Sequence, residues 1–158
     1  FLDFGLVKRW SKGELEQLTD VLDAILDGDA RGVVDRAVAA NFLPPDHGLD
    51  ADLMYEYVSG PYGPFLADSF TYTKDWTAKA LQTVIDLQGR YGEVIRQLNM
   101  PTSYVILDRV VWGVSALEGR LNATNNWRGI LAEYRKNAPP CTELGKIEEA
   151  WREGQPAG

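Results

Sequence analysis

The sequence has very little of the two side chains that most often bind zinc or carry nucleophilic catalysis. Cys141 is the only cysteine and His47 the only histidine. An internal disulfide is therefore impossible, and a zinc site of the usual nitrogen and sulfur ligands cannot be assembled. A serine or cysteine hydrolase would need His47 as its base, but this residue lies in "LPPDHGLD", a pattern typical of a turn. We predict a loop histidine, and a single cysteine is compatible with a reducing compartment.

Positive charge and long apolar runs are also scarce. The 16 lysines and arginines are outnumbered by 23 acidic residues, for a net charge of −7. This balance disfavours nucleic acid or an anionic membrane surface as the main partner. The most apolar stretch, "YVILDRVVWGVSAL", is shorter than a membrane span and contains Asp108 and Arg109. It predicts a buried helix and no transmembrane segment.

The remaining composition is typical of a folded domain. Hydrophobic residues make up 45% of the 158 residues and charged residues 25%, enough for one domain with a substantial core. We assign residues 1–153 to that domain and expect 154–158 to form a flexible tail. The chain begins with Phe1, and we expect it to be part of a longer protein.

Capping and periodicity predict a mainly α-helical fold after a short extended N-terminal segment. Ser11 and Glu14 have the spacing of a capping box, and further helices are expected to start at Asp29, Thr73 and Thr142. Other predicted helix starts are Asp50 or Asp52, Thr102 or Ser103, and Trp127. Gly28, "SGPYGPF", Gly89 with Gly92, "NATNN" and "NAPP" interrupt the helical pattern.

The helix predicted over residues 103–121 is expected at the centre of the domain. Its apolar residues Val105, Ile106, Val110, Val114 and Leu117 are predicted to pack against several neighbours. We interpret its small residues, Gly113, Ala116 and Gly119, as sites of close helix packing. Phosphate binding would need a preceding strand and a lysine. Trp76, Trp112, Trp127 and Trp151 are predicted to be core residues.

Two groups of acidic residues resemble metal sites only superficially. Asp27, Asp29 and Gly32 occupy positions one, three and six of an EF-hand loop, but Arg31 and Val38 stand where oxygen ligands are needed. A helix end followed by a capped helix start is the better interpretation. Asp20, Asp23 and Asp27 share one helix face opposite the leucine stripe, which indicates a solvated surface.

Asp3-Phe4-Gly5 spells the DFG motif of kinase-like proteins. Asp3 follows the apolar pair Phe1-Leu2, as at the end of a buried strand. In kinase chemistry this aspartate holds magnesium on the nucleotide phosphates. Only "LVKRW" separates the motif from the helix predicted at Ser11, so there is no room for an ordinary activation loop, and no Ala-Pro-Glu anchor follows. The pattern indicates an atypical or small-molecule kinase fold. We expect residues 1–5 to be extended, without a strand partner inside this chain.

Three stretches together resemble the UbiB/AarF family of atypical protein-kinase-like proteins. They are "LDFG" running directly into a helix, "LDAILDGDARGVVDRAVAANFL", and "MPTSYVILDRVVWGVSALEGRLNATNNWRGILAEY". The resemblance covers the whole chain and implies the helical C-lobe of a protein-kinase-like fold. It also implies ATP and Mg²⁺ as cofactors, and a role in isoprenoid quinone biosynthesis or lipid homeostasis.

On this resemblance Asp3 binds Mg²⁺ and, through that ion, the nucleotide. Phe4 and Gly5 give structural support to Asp3. The family's nucleotide loop, strand lysine and catalytic-loop residues have no counterpart in this sequence. No catalytic residue is therefore assigned in this chain, and the chain alone is expected to be inactive. The implied partners are the missing N-terminal half and lipid or quinone-pathway proteins, in the cytoplasm or at a membrane periphery. The alternatives are a non-catalytic helical interaction domain and a pseudokinase lobe.

Overall fold

The computed structural model describes residues 8–154, and these residues form a mainly α-helical fold, as predicted. Asp3, Phe4 and Gly5 lie outside the described residues, as does most of the predicted tail. The α-helices are α1 (Glu14–Leu26), α2 (Ala30–Ala39), α3 (Ala51–Ser59), α4 (Lys74–Ile85), α5 (Gly92–Gln97), α6 (Val105–Leu121), α7 (Trp127–Lys136) and α8 (Glu143–Glu153). Two short 3₁₀ helices span Gly60–Phe65 and Thr102–Tyr104.

Local side-chain chemistry fixes the starts of most helices. The carboxylates of Asp29 and Asp50 accept the backbone N–H groups of Gly32 and Leu53, which confirms the predicted N-caps of α2 and α3. Thr73 and Thr142 cap α4 and α8 in the same way. At α1 the Glu14 carboxylate accepts the N–H of Ser11, but the cap position is Gly13 and the Ser11 hydroxyl makes no cap. Only one half of the predicted capping box forms.

The main hydrophobic core lies among the first three helices. α1 packs on α2 and α2 packs on α3, and α5 and the start of α6 close the core from one side. Val33, Val34 and Ala37 point inward from α2. The other buried members are Val21, Ala24, Ile25, Ala40, Phe42, Leu43, Met54, Tyr57, Val94 and Tyr104.

Two very short strands, which the sequence did not predict, join the middle of the chain to its C-terminal part. β1 (Phe70–Thr71) pairs antiparallel with β2 (Thr124–Asn125), with Phe70 opposite Asn125 and Thr71 opposite Thr124. The two threonine hydroxyls are 2.7 Å apart and share a hydrogen bond. A strand of two residues is too short to show an alternating pattern in a sequence.

The predicted position of α6 at the centre of the domain is wrong. The helix itself forms, but Val105, Val110, Val114 and Leu117 are all exposed, and Leu117 leaves 60% of its surface to solvent. α6 turns a different side inward, where Ser115 and Gly119 are buried. The reason is close packing on α4: the Thr77 hydroxyl donates to the Ser115 carbonyl, and Gly119 leaves room for Thr73 and Thr77.

Candidate functional site

The structure shows how residues 8–14, which come shortly after the DFG letters in the sequence, are attached to the helical core. The Trp10 ring packs on Tyr104, with ring centroids 5.0 Å apart, and the Tyr104 ring meets the edge of Phe42 at 5.5 Å. The Tyr104 hydroxyl donates to the carbonyl of Glu14 at the start of α1. The Lys8 ammonium lies 4.9 Å from the centroid of the Trp10 ring. The chain entering α1 is therefore held against the buried start of α6.

The acidic residues of α1 do not form the purely solvated face that we predicted. Asp23 accepts hydrogen bonds from the Arg135 guanidinium at 3.1 and 3.3 Å, and its carboxylate lies 3.2 Å from the Lys136 ammonium. Burial raises the pKa of Asp23, but the hydrogen bonds from Arg135 and Lys136 outweigh this effect and leave the pKa below its usual value. Asp23 thus joins α1 to α7. Asp20 and Asp27 are exposed, as predicted.

The loop that resembles an EF-hand is the end of one helix and the start of the next, as predicted. Asp27 is the C-terminal cap residue of α1, and the Asp29 carboxylate accepts the N–H of Gly32 at 2.8 Å. Arg36 also lies 3.5 Å from Asp29. Within residues 8–154, no group of three or more histidine, cysteine or acidic side chains is arranged to hold a metal ion.

The single histidine and the single cysteine both take part in local structure. The Nδ1 atom of His47 accepts the N–H of Leu49 at 2.8 Å, which confirms a loop histidine. Cys141 is exposed, and its backbone N–H donates to the Glu133 carboxylate just before α8. Partial loss of solvent around the thiol, and then the nearby Glu133, raise the pKa of Cys141. A raised pKa leaves less of the reactive thiolate, which disfavours a nucleophilic role.

An aromatic cluster holds β1, α4 and α7 together. The Tyr72 ring meets Trp76 and Trp127 edge-on, with centroids 5.2 and 5.1 Å apart, and the Trp127 indole N–H donates to the carbonyl of Phe70 at 2.8 Å. Burial, with a smaller effect of the nearby Glu118, raises the pKa of Tyr72 to about 12. Trp76, Trp112 and Trp127, which we predicted as core residues, are only half-buried, although Trp76 and Trp127 do pack in this cluster. The prediction for Trp151 is wrong, because 64% of that residue is exposed.

Sequence reasoning missed two exposed apolar surfaces. The first, which we call the α6 face, consists of Val110, Val114, Leu117 and Leu121. The second, which we call the α8 stripe, consists of Leu144, Ile147 and Trp151. Both follow helical spacing, so each set lies along one side of its helix. The spacing was visible in the sequence, but it gave no indication that these sides point outward.

Two further findings bear on identity. Within residues 8–154, no helix combines the length and the apolar character needed to cross a bilayer. Comparison of the chain with protein-family models, with curated proteins and with solved structures gives no match.

Proposed function

We propose that this chain is the helical C-terminal part of an atypical kinase of the UbiB/AarF type. In the intact protein, Asp3 would hold Mg²⁺ on the phosphates of ATP, and Phe4 and Gly5 would support it. The reaction would be phosphoryl transfer or ATP hydrolysis linked to isoprenoid quinone biosynthesis or lipid homeostasis. The proposal rests on the DFG motif and on the resemblance of the sequence to that family.

The attachment of Trp10 is the structural observation that supports this proposal. A carboxylate that positions Mg²⁺ must itself be held in a fixed place, because catalysis of phosphoryl transfer is mostly a matter of positioning. Five residues after Gly5, Trp10 is packed on the buried ring of Tyr104, and Glu14 is tied to the same ring through its carbonyl. The chain is thus anchored on the core at Trp10, a short distance along the sequence from the motif.

The proposal also requires groups that these 158 residues do not contain. One carboxylate cannot hold a hydrated Mg²⁺ ion without phosphates and a further ligand. The nucleotide loop, a lysine for the phosphates and a catalytic-loop aspartate and asparagine would have to come from a preceding part of the polypeptide. We therefore expect this chain alone to bind magnesium-ATP weakly or not at all.

The test compares this chain with a longer protein that also contains the residues encoded upstream of Phe1. Calorimetry with and without Mg²⁺ should show ATP binding only in the longer protein. In that protein Asp3→Asn should weaken magnesium-dependent binding and abolish ATP turnover, since it keeps the size of the side chain but removes its charge. Asp20→Asn is the matched control, because Asp20 is an exposed aspartate on α1, and it should leave both measurements unchanged.

Equal binding and turnover with asparagine at position 3 would contradict the proposal. The second candidate would then be preferred, a non-catalytic helical interaction domain in which the DFG letters are incidental. The observation that favours this candidate is the pair of exposed apolar surfaces on α6 and α8, because large exposed apolar patches mark interaction sites.

A further inference from the structure

We draw no further inference here: the strongest candidate, the exposed apolar patch of the α6 face, carries none because nothing in the structure shows what covers it.

Discussion

The first three helices and two of the last three, α6 and α8, place their apolar side chains in opposite ways. In α1, α2 and α3 the apolar residues point toward one another and form the core, with Ile25 and Val33 almost fully buried. In α6 and α8 the largest aliphatic residues point to solvent, and α6 packs inward through Ser115 and Gly119. An apolar stripe in a sequence therefore identifies one side of a helix, but it does not decide whether that side faces the core or the solvent.

The largest test of this comparison truncates one aliphatic residue in each region. Ile25→Ala on α1 should lower the free energy of unfolding by about 2–5 kcal/mol, because Ile25 leaves only 2% of its surface exposed. Leu117→Ala on α6 should change it by at most about 0.5 kcal/mol, as expected for a surface position. Urea unfolding at concentrations where the chain is monomeric measures both. Equal losses for the two variants would show that α6 turns its Leu117 side inward.

A matched pair of glycines on α6 tests which side of that helix packs. Gly119→Ala should destabilise the chain by about 1–3 kcal/mol, because the new methyl group would lie 2.8 Å from the Thr77 hydroxyl and 3.0 Å from the Thr73 carbonyl. Gly113→Ala meets nothing within 4 Å and should stabilise the monomer by about 0.5–1 kcal/mol through its better helix propensity. The two variants should therefore move the urea midpoint in opposite directions. A midpoint that rises for both would contradict the packing of α6 on α4.

The smallest expected effect lies at the ion pair between Asp23 on α1 and Arg135 on α7, which joins the first and last groups of helices. Asp23→Asn should lower stability at neutral pH by about 1 kcal/mol or less, because its carboxylate is partly exposed. The pKa of Asp23 is lower in the folded chain than in the unfolded one. Its contribution is therefore fully present above the unfolded value, about 3.9, and is lost as the pH falls through the folded value.

Urea midpoints of the wild type and Asp23→Asn should accordingly differ at pH 7, begin to approach each other below about pH 4, and converge only below the folded pKa of Asp23. Asp20→Asn is the control, and its midpoint should follow the wild type at every pH. A difference between the wild type and Asp23→Asn that persists in acid would exclude the carboxylate charge as its cause.

Sequence reasoning succeeded where the cause of the structure is local. The caps at Asp29, Thr73 and Thr142 follow from a side-chain oxygen that reaches a backbone N–H three residues later, and the sequence shows that spacing directly. Reasoning from helical periodicity also identified the mainly helical fold.

Sequence reasoning failed where the cause of the structure lies far along the chain. Nothing near Asp23 indicates Arg135, which is 112 residues away. The prediction of which side of α6 faces inward failed for a related reason. This helix is apolar over much of its surface, so periodicity could not select a side, and the choice depends on how closely Gly119 fits against Thr77 on another helix. The candidate magnesium ligand, Asp3, lies outside the described residues and stays a prediction.

Tyr104 connects three parts of the fold. Its ring packs on Trp10, its hydroxyl holds the start of α1, and the next residue begins α6. One side chain therefore supports Trp10, the start of α1 and the start of α6, and we expect its removal to loosen all three together.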